Sequence, residues 1–339
     1  MSHNVFTVYQ EHAFAPFIRA LGKGKNGTRP LTLTESQTAM KMIMAGEVEP
    51  VQLGAFLMLM RVKEETREEL AGFILGVQES LAVPSNIQVD LDWSSYAGKR
   101  RHLPWFLLAT LLLAENGIKV FMHGESGHTS GRVYTQSVLR YFNLTDAKNF
   151  DEVKQQLEQQ NFCYMSLEYL SPKLHEIINL RSLMGLRSPV HTLARMINPC
   201  RAPYVMQGIF HPNYRQVHQE AALLIEQPHL AVFKGDGGES ERDPDVECVV
   251  QSVHQGELLE EVWAPIFPQR HIKEESMQPE LLVGLWRGEV QDEYAEGAVY
   301  GTAAIALRLL GKAGSVAEAQ KMAFEMWQSR NKDKYQSVV

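Results

Sequence analysis

The apolar period of this chain changes once, near Pro84, and that change restricts the elements it can build. Over residues 34–81 apolar side chains recur at helical spacing: Ala39, Met40, Ile43 and Met44, then Leu53, Phe56, Leu57 and Met60, then Leu70, Phe73, Ile74 and Val77. No β-prone run interrupts them. Thr34 before an acidic turn, Gly46 before Glu49-Pro50, and Glu64-Glu65-Thr66 punctuate the stretch as three helices. Past Pro84 short β-prone runs, at 88–92, 118–122, 162–165, 204–209, 230–233 and 246–253, alternate with helical ones. That alternation calls for a mainly parallel sheet covered on both faces. The expected fold class is therefore α/β with an all-α N-terminal domain. Residues 1–83 form the helical part and 84–339 the α/β part, with helices around 170–190 expected to pack on the former.

The nearly apolar run 103–114 falls well short of the roughly 20 residues that span a bilayer, so it reads as a buried core helix. Two further helices are expected over 298–326 with a break at Gly311, and the end, NKDKYQSVV, reads as a solvated tail.

Charge narrows the function. Lys and Arg number 33 against 40 Asp and Glu, a net −7, so a chain that coats itself uniformly on nucleic acid or an anionic membrane is not expected. Any polyanion site must be a local patch. Cys163, Cys200 and Cys248 are far apart, with no CxxC pair and no His at ligand spacing, which argues against a zinc site or a disulfide framework. The N-terminus lacks the basic and apolar regions of a secretory signal, so the expected location is cytoplasmic, with no membrane partner.

Four segments carry candidate chemistry. Residues 22–27, GKGKNG, match G-x-G-x-x-G, but a dinucleotide fingerprint needs a strand before it and a helix directly after, and neither is expected here. Its information is charge: Arg19, Lys23, Lys25 and Arg29 sit on a glycine-rich backbone without an acid, suiting either phosphate contact or a solvated loop. A second cluster, Lys99, Arg100, Arg101 and His102, falls between an expected strand and the apolar helix, where an α/β sheet normally binds anions. The third, from His123 to Arg132, runs from a strand into a polar glycine-rich turn with hydroxyls and two histidines. In the fourth, from Lys234 to Glu241, a strand end leads into clustered carboxylates such as hold Mg²⁺ for a diphosphate, or form a solvated acidic rim.

Taken together, these segments resemble the anthranilate phosphoribosyltransferase family over roughly residues 30–328. The carriers are LTLTESQTAMKMIMAGEVEPVQLGAFLMLMRVKEETREELAG, His123-Gly124, RSLMGLRS at 181–188, Asn198-Pro199, the Gly-Asp-Gly turn at 235–237 and GAVYGTAAIALRLLGKA. The resemblance implies a nucleoside phosphorylase and phosphoribosyltransferase type of fold with an interdomain cleft, and a homodimer through the helical domains.

Departures from the family fall on the chemistry. The family's Gly-Thr-Gly-Gly-Asp loop wraps a diphosphate with backbone N–H groups; here the matching stretch is SSYAGKRRHLPW, with cations in the cradle. The residues that hold anthranilate correspond to His123, Glu125 and Arg181, so an acid replaces the family's Asn. The metal pair falls near Glu239 and Ser240, with Glu241 as a substitute, and Gly301 stands where Asn is usual. These changes look like the paralogous branch typified by the YbiB protein, which keeps the fold and binds nucleic acid with little sequence preference.

The expected function is thus nucleic-acid binding of low specificity, DNA or RNA, single strands favoured, with no cofactor. Phosphates would meet Lys23, Lys25, Arg29, Lys99, Arg100, Arg101, His102, Arg132, Arg187, Arg195 and Lys234. Tyr96, Trp105, His211 and Tyr214 are the candidates to stack on bases. The alternative is a phosphoribosyltransferase or nucleoside-cleaving enzyme using phosphoribosyl diphosphate and Mg²⁺, with His123, Arg181 and Glu239 catalytic and Asp236, Glu239 and Glu241 around the metal. A regulatory protein whose cleft takes another phosphorylated metabolite is the third possibility.

Overall fold

The computed structural model describes residues 10–24, 26–127, 129–272 and 276–335. Four helices open the chain: α1 (Ala15–Gly22), α2 (Leu33–Met44), α3 (Pro50–Lys63) and α4 (Arg67–Ser80). Capping boxes start α2 at Thr32 with Glu35 and α4 at Thr66 with Glu69, each satisfying helix-terminal N–H groups. Glu69 does more than cap. Fully buried, it also accepts from Leu31 N at 2.8 Å and pairs with Lys63 at 2.6 Å, joining three segments. Helices α2 and α4 approach closely because Gly72 and Gly76 face α2; a Cβ on Gly72 would lie 2.3 Å from the Leu33 carbonyl oxygen.

One seven-stranded sheet follows, of β1 (Leu91–Ser95), β2 (Val120–Gly124), β3 (Phe162–Ser166), β4 (Tyr204–Ile209), β5 (His229–Lys234), β6 (Cys248–His254) and β7 (Glu257–Trp263). The order is β3-β2-β1-β4-β5-β6-β7; β1 to β5 are parallel and the last two antiparallel. Strand order reverses between β1 and β4, the crevice where open α/β sheets bind ligands. Alternation divides the strand residues between two cores. Leu91, Trp93, Val120 and Met122 pack under α5 (Phe106–Glu115) and the C-terminal helices Glu293–Leu309 and Val316–Ser329. Phe121, Cys163, Val205 and Val232 join a core with the N-terminal helices and with residues from 167 to 197. Residues 103–114 were expected as one core helix; the helical turns begin at Phe106, and Phe106 to Ala114 are all buried. Among the described residues no helix is long and apolar enough to cross a membrane.

Three expectations need correction. The first strand runs over Leu91–Ser95, not 88–92, so the basic cluster begins only four residues after it ends. Strand β7 was not anticipated. Its sequence, ELLEEVW, carries acids at an exposed edge, which discourages pairing with another chain. The end of the chain is not simply a solvated tail: Tyr335 is buried, with its ring 5.1 Å from that of Trp286 and 5.5 Å from that of Phe142.

Candidate functional site

The crevice between β1 and β4 is closed from inside by the loops that follow β1 and β5. After β1 the chain passes through Tyr96, Ala97 and Gly98, whose positive φ of 67° and contact with the Tyr134 ring leave no room for a Cβ. Lys99 then exchanges two backbone hydrogen bonds of 2.8 Å with Val133, which fixes the loop. From the far side, residues 235–241 double back after β5. Gly208 and Gly235 permit this, since a Cβ on either would overlap the Glu239 backbone at 2.2 Å or less.

Glu239 is thereby brought, fully buried, onto the backbone N–H groups of Ala97 at 2.6 Å and Gly98 at 2.5 Å. These amides belong to the segment expected to cradle a diphosphate, and a carboxylate of the protein itself holds them. Lys99, also fully buried, donates to Asp236 and to Glu241 at 2.5 Å, while the other Glu241 oxygen accepts from Phe106 N at 2.7 Å. Burial works against the Lys99 charge, but Glu241 and Asp236 outweigh it and raise the ammonium above its ordinary value. Two carboxylates share that one cation. Burial pushes Glu241 up to about 7 despite Lys99, whereas Lys99 outweighs burial at Asp236 and holds it below the usual carboxylate range.

The expected metal ligands therefore do not fit a divalent cation: an ammonium lies on Asp236 and Glu241, and Glu239 is engaged by amides. No cluster of three potential metal ligands occurs among the described residues.

Beside this closed centre lies an open cleft of about 660 Å³. Arg100, Arg101, Arg132, Arg215, Lys234 and Arg270 line it, against Asp236, Asp243 and Glu247. On a chain of net −7 this is a concentrated positive surface. A second cavity of about 160 Å³ continues along the domain boundary, between Arg61 of α3 and Arg187, Arg195, His211 and Tyr214. Burial and the proximity of Arg181, Arg132 and Arg195 depress the Arg187 guanidinium to about 10, so four arginines crowd together here. Arg195 and Arg132 also brace the loops: Arg195 Nη1 donates to Gly208 O and Gly238 O, and Arg132 Nη1 to Ala97 O and Gly98 O.

Several predicted site residues lie elsewhere. Lys99 does not line the cleft: it is fully buried on Asp236 and Glu241. His102 is buried with its ring stacked 4.3 Å from that of Tyr294. Arg29 grips both oxygens of Glu35 at 2.7 Å, and neither it nor exposed Lys23 lines the cleft. Lys25 lies outside the described residues. Tyr96 and Trp105 are buried and present no ring to a base. His123 is buried as well; Tyr96 Oη lies 2.8 Å from its Nδ1 and Asp92 3.2 Å from its Nε2, so it cannot meet a substrate directly. Arg181 opens the short helix Arg181–Met184 and donates to Thr129. Glu125 is engaged by His175 at 2.6 Å and Ser126 N at 3.0 Å. Sequence reasoning missed Phe210, Arg215 and Arg270, all cleft residues. Phe210 had a usable signal, a large apolar residue directly after a strand at the crevice.

Comparisons agree with this architecture. Residues 15–81 match the glycosyl transferase family's helical bundle domain, and residues 106–330 its a/b domain. The uncharacterized protein YbiB of Escherichia coli K12 is 26% identical over 206 residues, covering 59% of this chain and 64% of that protein. An anthranilate phosphoribosyltransferase of Saccharolobus solfataricus is 23% identical over 63% of this chain and 61% of its own length. The matched stretch is thus less than two thirds of either relative. In three dimensions the anthranilate phosphoribosyltransferase of Thermus thermophilus superposes with a TM-score of 0.78 at 22% identity, covering 94% of this chain and 95% of that one. Helical bundle, mostly parallel sheet and interdomain cleft thus occur together in one chain, which belongs to the glycosyl transferase family and has an anthranilate phosphoribosyltransferase-like fold.

Proposed function

We propose that this chain binds nucleic acid through its basic cleft, with little sequence selectivity and a preference for single strands. The observation that carries this is a division of charge. The groups suited to a metal-bound diphosphate are engaged internally, Asp236 and Glu241 by Lys99 and the loop amides by Glu239, while Arg100, Arg101, Arg132, Arg215, Lys234 and Arg270 face an open cleft. A sugar–phosphate backbone offers repeated monoanions to such a row without needing a metal. If all six cations contact phosphates, single-strand affinity should fall with salt at a logarithmic slope of about −4.

A second reading is a phosphoribosyltransferase, and the names of the relatives favour it over the first. The arginine group around Arg187 also supports it, as a place for an anionic acceptor. It requires Lys99 and Glu239 to give up their partners. Fluorescence anisotropy of a labelled single-stranded oligonucleotide at two salt concentrations, with phosphoribosyl diphosphate and Mg²⁺ as competitor, separates the two. Salt-steep binding that the small ligand leaves intact supports the groove; weak binding, or displacement by the small ligand, supports the transferase. The proposed protein is a homodimer through its helical domain, supported by the exposed Val51 and Val62 on α3; sedimentation velocity tests this.

A further inference from the structure

Phe210 is a large apolar side chain placed among arginines. It follows β4 at the strand-order reversal and is 54% exposed, more than any other phenylalanine among the described residues. Its backbone side is fixed: Gly238, at φ 87°, brings the returning loop so close that a Cβ there would lie 3.1 Å from Phe210 Cβ. Its ring stands edge-on to His211, with centroids 4.8 Å apart and an interplanar angle of 83°. Phe210 lines both the 660 Å³ cleft and the 160 Å³ cavity, with Arg215 and Arg132 on one side and Arg187 and Arg195 on the other.

An exposed aromatic face at the junction of two cationic cavities costs hydration unless a planar partner covers it. Phosphate or polyphosphate would gain nothing from that face. A nucleobase would, because every base has a π-face and stacks on aromatic side chains whatever its sequence. In a duplex the base faces are covered by their neighbours, so only unpaired bases can use the ring.

We infer that Phe210 is the stacking platform for an unpaired base, and that it gives the cleft its selectivity for single strands over other polyanions. This rests on the nucleic-acid reading above, and the test keeps the two apart. Binding of a labelled oligothymidylate of about 12 nucleotides is measured for the parent, Phe210→Leu and Phe210→Trp, with inorganic polyphosphate as a base-free probe. The expected result is that Phe210→Leu weakens oligothymidylate about 10-fold or more, leaves polyphosphate unchanged, and that Phe210→Trp restores binding. Thermal unfolding of each variant reports that the exposed site folds as in the parent. If Phe210→Leu binds oligothymidylate as the parent does, or loses both probes equally, the platform is overturned while the cationic cleft stands. If the parent binds neither probe, both fall.

Discussion

Lys99→Met removes the buried ammonium while keeping an apolar stem of similar length. Glu241 is then wholly buried without a cation, and Asp236, whose side chain is 23% exposed, loses the same partner. Removing one member of a buried ion pair typically costs about 3–5 kcal/mol, because the remaining charge is left uncompensated. Water reaching Asp236 relieves part of this, so the low end, about 3 kcal/mol, is expected at pH 8. For a chain of this size that is roughly 4 °C in Tm. The loss must shrink on acidification as Glu241 takes up a proton, but Asp236, held below the usual carboxylate range, stays paired with Lys99 in the parent at pH 5, so the variant should recover only part of the difference there. Thermal and urea unfolding at the two pH values measures this. A second arm uses Mg²⁺: with the ammonium gone, the ion should stabilise the variant at pH 8 while leaving the parent unaffected. A variant within about 0.5 kcal/mol of the parent at pH 8 would refute the reasoning. So would Mg²⁺ stabilising the parent as much as the variant.

Charge reversal at Arg100 and Arg101 together should weaken oligonucleotide binding uniformly across sequences and flatten the salt slope by about 1.4 or more, read by anisotropy titrations. Glu241→Gln tests the buried carboxyl. Its pKa is raised to about 7 in the folded chain, so the folded state holds an extra proton and this group's stabilisation, full below the unfolded value, is lost as pH rises through 7. The variant should show a shallower decline in stability between pH 5 and 8 than the parent, measured by denaturant titration. Gly72→Ala should destabilise by about 1–3 kcal/mol, because its Cβ would press on the Leu33 carbonyl oxygen and separate α2 from α4; unchanged unfolding would show that the helices shift freely.

The helical domain and four of the five parallel strands were legible because their burial is regular; β1, LDWSS, is buried but polar, and its expected bounds were displaced by three residues. A strand buried on both faces reads as a short continuous apolar run, and a helix buried on one face reads at period 3.6. Strand β7 was not, since Glu257, Glu260 and Glu261 mask a pattern whose apolar residues are largely exposed. Its available sign was the turn Gln255-Gly256, with positive φ at both positions, which closes a tight hairpin. Tyr335 was misread for a related reason. A single aromatic in a charged stretch carries no period, yet its ring finds Trp286 and Phe142.

The site itself was half legible, and the cluster Lys99-Arg100-Arg101-His102 shows why. As sequence, three cations and a histidine form one patch. In the fold the backbone ladder with Val133 fixes Lys99 inward, onto carboxylates 137 and 142 residues further along the chain, while Arg100 and Arg101 fall beyond the ladder and are exposed. His102 turns to Tyr294. The carboxylates met the same limit: Asp236, Glu239 and Glu241 were grouped as a metal set, but two hold an ammonium and one holds amides. Adjacent ionic side chains of one sign take opposite roles according to which opposite charge the fold brings near. Desolvation makes an inward cation tolerable only when such a partner is there to meet it. Lys99 and Glu239 thus meet their opposite groups inside the protein, and the cations of this cluster left facing outward are Arg100 and Arg101.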